Sequence, residues 1–184
     1  TNCLAPVLNL LDKYYGVEYG YMTTIHATTN DQTTLDVAHK KGAFSRRGRS
    51  ALENIIPAST GAASAIGKVL PNLNGKLKGS AFRVPTIDGS VVDLTVKLKK
   101  NVTKEEINEM FKNNQSDVIK ITFDPIVSSD IIGQTVGSLV DGLLTDVLES
   151  ENENLVKIVA WYDNELGYTN QMIRTLGELL KWKM

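Results

Sequence analysis

Gly16 separates two hydrophobic periods that cannot belong to one element. Before it, Leu4, Val7, Leu8, Leu11 and Tyr15 recur at the spacing of one helix face, and the glycine is the stop. After it, Val17, Tyr19, Tyr21, Thr23 and Ile25 share one side of a two-residue alternation, while Met22, Thr24 and His26 share the other. A helix that hands over at once to a long strand needs a sheet for the helix to cover. The chain therefore opens with a helix, and His26 sits at the end of the strand that follows. The composition agrees: 42% of the 184 residues are apolar and 22% charged, which suits one globular domain rather than a disordered chain.

The rest of the chain extends this pattern. Residues 27–54 are polar and without sustained period, and loops of that length inside a compact domain usually carry function. Ser59, Thr60 and Gly61 precede an alanine-rich helical stretch that runs to Pro71. Segments 82–85, 91–98, 118–123, 134–140 and 155–162 read as strands. Thr103 and Glu106 form a capping box for a helix with Ile107, Met110 and Phe111 on one face. A last helix begins near Glu165 and turns Leu166, Asn170, Ile173, Leu176 and Leu180 towards a core. Helices interspersed among five strands or more, without strict alternation, imply an α+β fold: a mixed, largely antiparallel sheet with helices packed on one face. Residues 1–184 are read as one domain, with no repeat or linker.

Charge narrows the chemistry. Residues 1–100 carry 13 Lys and Arg against 7 Asp and Glu, and residues 101–184 carry 7 against 14. The basic excess peaks at Lys40, Lys41, Arg46, Arg47 and Arg49, which fits an anion site or a solvated loop. Nucleic acid is not the expected partner, because no stacking platform is spelled out and the acidic half repels a phosphate backbone. One cysteine and two histidines build neither a disulfide nor a Cys/His zinc site, so no metal is expected. The longest apolar run, Ile158 to Tyr162, is far short of a span, and no secretory signal is read. A cytoplasmic setting with no membrane partner is expected.

Two nucleotide motifs fail on spacing. Gly61 to Lys68 has five residues between its glycines, with Val69 where a P-loop needs Ser or Thr, and no Gly-x-Gly-x-x-Gly occurs. The remaining constellation is polar. His26 suits acid/base work or a structural role, and Thr60 and Gly61 suit a phosphate at a helix N-terminus or a plain cap. Arg83 suits a planar anion or an ion pair with Asp88 or Asp93. Cys3 is a lowered-pKa thiolate or a buried inert thiol, and Asp163 with Glu165 is an acid/base pair or a cap.

Taken in order, Thr1-Asn2-Cys3-Leu4-Ala5-Pro6, Met22 to Thr29, Asn54 to Pro57, Ser59 to Ala63, Gly67 to Pro71, Ala81 to Thr86 and Trp161 to Tyr168 closely resemble the glyceraldehyde-3-phosphate dehydrogenase family. The resemblance spans the chain and implies a catalytic, carboxy-terminal domain. The family's cysteine motif reads Ser-Cys-Thr-Thr-Asn-Cys, and Thr1-Asn2-Cys3 matches its last three residues. The expected nucleophile therefore falls two positions before Thr1, and Cys3 is the second cysteine. An amino-terminal NAD-binding Rossmann domain is expected outside this sequence, and the chain alone is expected to be inactive.

In the family, a cysteine thiolate attacks the aldehyde, hydride passes to NAD, and inorganic phosphate releases the acyl group. The resemblance implies that His26 activates the thiol, that Thr29 and Arg83 hold the phosphate of glyceraldehyde 3-phosphate, and that Thr60 and Gly61 receive the attacking phosphate. It further implies that Asn164 bonds the nicotinamide amide with Tyr168 beside it. The 30–54 loop, Arg46 and Arg49 included, corresponds to one that lines a homotetramer interface and approaches a neighbour's NAD. The alternatives are the related erythrose-4-phosphate dehydrogenase, and a non-catalytic oligomerisation module.

Overall fold

The computed structural model describes residues 1–32, 37–42, 44–150 and 153–181. Residues 33–36 and 43 of the long basic loop lie outside the described residues. Helix α1, Leu4–Tyr15, buries Leu4, Val7, Leu8, Leu10 and Leu11 and ends at Gly16. The φ of Gly16 is +72°, a conformation L side chains rarely adopt, and its N–H reaches back to the Leu11 and Asp12 carbonyls. The chain then enters β1, Val17–Ala27. The remaining elements are β2, Ile56–Ala58; α2, Ala62–Val69; β3, Leu77–Val84; β4, Ser90–Leu98; α3, Lys104–Asn113; β5, Ile119–Thr122; β6, Ser138–Asp141; β7, Asp146–Ser150; β8, Glu153–Tyr162; and α4, Leu166–Lys181.

Among the described residues these strands form one sheet in the order β2-β3-β1-β4-β8-β6-β5, with β7 also paired to β8. Only β1 with β3 and β5 with β6 run parallel. The fold is therefore α+β on an open, mixed, mostly antiparallel sheet. Alternation decides its faces: Val92, Leu94, Val96 and Leu98 of β4 are buried with Val156, Ile158 and Ala160 of β8, while Asp93, Thr95, Lys97 and Lys157 face outwards. Helices α1, α2 and α3 supply the apolar partners of the inner face. The capping box at Thr103 and Glu106 is present, with Oγ1 of Thr103 accepting from the Glu106 N–H and the Glu106 carboxylate from the Thr103 N–H.

Several sequence expectations need correction. The 134–140 strand is shorter and later, Ser138–Asp141, and the one expected at 82–85 begins at Leu77. Strands β2 and β7 were not expected. The larger difference is α4, which buries only Gly167 and leaves Leu166, Ile173, Leu176 and Leu180 exposed. Its stripe faces away from the core that α1 helps to build.

Candidate active site

The inner-face ends of β1, β3 and β8, the N-terminus of α2 and the turn into α4 enclose a cleft of about 550 Å³. His26, Thr60, Gly61, Arg83, Asn164 and Tyr168 line it, with Thr24, Cys3 and Tyr162. Thr29 is not among its lining residues; its N–H is bound by Oε1 of Gln32 at 3.2 Å. Register explains the central pair. His26 and Arg83 are partners in the parallel β1–β3 ladder, so both side chains leave the same face.

Nη1 of Arg83 lies 2.6 Å from Nδ1 of His26 and 3.0 Å from the Ala27 carbonyl oxygen. No carboxylate neutralises this guanidinium among the described residues: Asp93 pairs with Lys157, and Asp88 accepts from the Gly89 N–H. The ion-pair alternative for Arg83 is thereby removed. A second guanidinium is close enough to matter. Burial, and then the charge of Arg47, pushes the Arg83 pKa down. Arg47 itself pairs with Asp31 and donates to the Ser59 carbonyl, which fixes the basic loop beside the N-terminus of α2. Burial also pushes the His26 pKa down, opposed by the Ala27 carbonyl and aided by Arg83, so the ring is favoured neutral.

Thr60 precedes the cap position, which Gly61 occupies, and its Oγ1 accepts from the Ala62 N–H at 3.1 Å. Capping and anion binding are compatible, because other first-turn N–H groups have no intrahelical partner. Cys3 follows its inert reading. It is 3% exposed, its thiol faces Ser138 and the Ala160 carbonyl, and burial pushes its pKa up to about 11. Asp163 follows its capping reading, accepting from the N–H groups of Glu165, Leu166 and Gly133.

Two residues escaped sequence reasoning. Ser90, 1% exposed, accepts from the Ala27 N–H at 3.1 Å and donates to Oδ1 of Asn164 at 2.7 Å. It thus ties the strand end carrying His26 to the turn carrying Asn164. A hydroxyl has one proton, and spending it on Oδ1 orients the Asn164 amide, whose Nδ2 donates to Oε1 of Glu165 at 3.3 Å. Tyr162 stands edge-on to the His26 ring at 6.0 Å between centroids and shares a 2.9 Å hydrogen bond with Thr24. Burial pushes its phenol up to about 12, so it stays neutral. The only signal for either was its place at the end of an alternating strand.

This geometry defines the class: an α+β domain whose sheet ends present a histidine, a guanidinium with no carboxylate partner among the described residues and a helix N-terminus to one cleft. The family described as glyceraldehyde 3-phosphate dehydrogenase, C-terminal domain, matches residues 1–164, and the chain belongs to it. Over 181 residues it is 54% identical to the glyceraldehyde-3-phosphate dehydrogenase of Clostridium pasteurianum, 52% to that of Clostridium acetobutylicum and 53% to that of Streptococcus pyogenes. Each match covers 98% of this chain and 54% of the relative, so the chain spans about half the length of these curated relatives. Among the described residues no helix is long and apolar enough to cross a membrane, and no cluster of three His, Cys, Asp or Glu side chains suits a metal ion.

Proposed function

We propose that this chain is the catalytic domain of a phosphorylating glyceraldehyde-3-phosphate dehydrogenase acting in glycolysis, in the cytoplasm and as a homotetramer. The observation that carries the reading is Arg83, without a carboxylate partner among the described residues, beside His26 in the cleft that the N-terminus of α2 also lines. His26 moves the proton of the attacking thiol and of the aldehyde oxygen, a role for a neutral imidazole near physiological pH. Arg83 holds the substrate phosphate by charge-assisted hydrogen bonds, with Thr29 completing that site from the adjoining loop. The N-terminus of α2, with Thr60 and Gly61, receives inorganic phosphate, and Arg47 adds positive charge beside it. Cys3 is not the nucleophile, because its thiol is enclosed and stays protonated.

NAD supplies the hydride acceptor when bound. Asn164 fits its carboxamide, since Ser90 fixes the amide at Oδ1 and Nδ2 keeps a second hydrogen beyond the one given to Glu165, and the exposed ring of Tyr168 lies beside it at the cleft wall. The exposed outer sheet face, with Tyr19 and Tyr21 more than half accessible, supports assembly of subunits. The test is substrate choice in the protein at the full length of its relatives. Glyceraldehyde 3-phosphate should give a higher kcat/KM than erythrose 4-phosphate; a preference for the longer aldehyde would reassign the domain.

A further inference from the structure

Thr29 and Gln32 have the spacing of a capping box, Thr-x-x-Gln, yet they do not form the box that Thr103 and Glu106 form in the same chain. At Thr103 the hydroxyl is committed: Oγ1 accepts from the Glu106 N–H at 3.2 Å, while the Glu106 carboxylate accepts from the Thr103 N–H at 2.8 Å. At Thr29 only the returning bond is present, with Oε1 of Gln32 accepting from the Thr29 N–H at 3.2 Å. The Gln32 N–H goes elsewhere. It donates to the Thr29 carbonyl oxygen at 2.9 Å and so closes the single 3-10 turn Asn30–Gln32. Both backbone groups of Thr29 are therefore held by Gln32, and the half-buried Thr29 hydroxyl has no hydrogen bond among the described residues.

The fold alone gives little reason to enclose an amide at this position. Gln32 is 2% exposed, and its Nε2 has no partner among the described residues. A buried donor without an acceptor destabilises a fold, and an apolar side chain would avoid that loss. What the amide contributes in return is its bond to Thr29. Asp31, between the two, is exposed and pairs with Arg47, so the turn is gripped from the solvent side as well. We infer that Gln32 is a positioning residue, which holds the Thr29 backbone so that the Thr29 hydroxyl stays uncommitted for the phosphate group of the aldehyde substrate. The inference rests on the proposed reading of Thr29 as part of the substrate-phosphate site. A hydroxyl donates well to a phosphate oxygen only from a fixed backbone, because a small displacement lengthens and bends the bond. Without Oε1 the turn is held by one bond rather than two. The hydroxyl can then fold back on the N–H three residues on, as at Thr103, and away from a ligand.

The test is a double-mutant cycle in the protein at the full length of its relatives. It is read as the preference for glyceraldehyde 3-phosphate over unphosphorylated glyceraldehyde, the ratio of the two kcat/KM values. Gln32→Met, which keeps the length and removes the acceptor, should lower that ratio about tenfold, chiefly through the KM of the phosphorylated aldehyde. Thr29→Val, which removes only the hydroxyl, should lower it at least as far. The double variant should fall no lower than Thr29→Val alone, because Gln32 acts through Thr29. An unchanged ratio in Gln32→Met, an equal loss for both aldehydes, or additive losses in the double variant overturns the inference. Where Gln32→Met does not fold, the urea midpoint of Thr29→Val decides: an unchanged midpoint shows a hydroxyl that the turn does not use, as inferred, and a lowered one shows a hydroxyl committed to the turn and overturns it. A wild-type protein with no preference for the phosphorylated aldehyde refutes the phosphate reading of Thr29 and the inference with it, whereas a wild-type preference that Gln32→Met retains overturns the inference alone.

Discussion

Replacing Ser90 with Ala removes one oxygen atom and should cost the fold about 2 kcal/mol. The hydroxyl is 1% exposed and has two partners, the Ala27 N–H at 3.1 Å and Oδ1 of Asn164 at 2.7 Å. Ala27 is itself fully buried, so its N–H has no access to water once the oxygen is gone, and an unsatisfied buried donor costs about 1–3 kcal/mol. Asn164 is half-buried and recovers much of its loss by hydration, and removal of the serine's own desolvation offsets a further part. The assay is equilibrium urea unfolding of the 184-residue chain. With a slope of about 2 kcal/mol/M, the midpoint should fall by about 1 M. Ser80→Ala, on the outward face of β3 with one long 3.5 Å contact to Thr23, is the control and should stay within about 0.5 kcal/mol. If Ser90→Ala also unfolds within that margin, the bridge between the two site elements contributes nothing and the argument for it fails.

Leu11→Ala, at a fully buried position of α1, should destabilise by about 2–5 kcal/mol, whereas Leu180→Ala on the exposed face of α4 should stay within about 0.5 kcal/mol; urea midpoints of the two variants check the contrast. Gly89 has φ +84° and a Cβ there would run into the Ser128 carbonyl oxygen, so Gly89→Ala should lower stability by at least about 2 kcal/mol and disturb the turn that delivers Ser90, read by thermal unfolding and by loss of the Ala27 amide protection. The Cys3 thiol has its pKa raised from 9.0 to about 11, so the unfolded chain releases that proton first and stability is lost as pH rises through that interval, by about 3 kcal/mol in all. Cys3→Ser should flatten the alkaline limb, and a thiol reagent should modify the native chain only as fast as it unfolds. A full, rapid reaction at neutral pH would show the thiol to be open.

What was legible in the sequence follows from where the determining interactions lie. The α1–Gly16–β1 junction was readable because hydrophobic period, stop residue and strand alternation are all local. So was α3, whose capping box is a four-residue signal. Strand β2 escaped because three residues centred on Pro57 show no period, and β7 because its side chains are almost all exposed. In α4 the apolar spacing was correct, but no local pattern states what covers a stripe, and here Ile173 and Leu180 remain more than half exposed. The site divides in the same way. His26 and Arg83 stood out as chemistry-bearing residues at strand ends, whereas their contact, and the parts played by Ser90 and Tyr162, exist only through the register of β1 with β3 and of β4 with β8, and that of Arg47 through its loop contacts with Asp31 and Ser59.

The most direct measurement is the rate of NADH formation from glyceraldehyde 3-phosphate and NAD, with and without inorganic phosphate, in the protein at the full length of its relatives. The rate should depend on phosphate, and His26→Ala should lower kcat by about 10²–10⁴ while Lys181→Ala leaves it unchanged. NADH formation indifferent to phosphate, or an undiminished rate in His26→Ala, would contradict the assignment of this cleft.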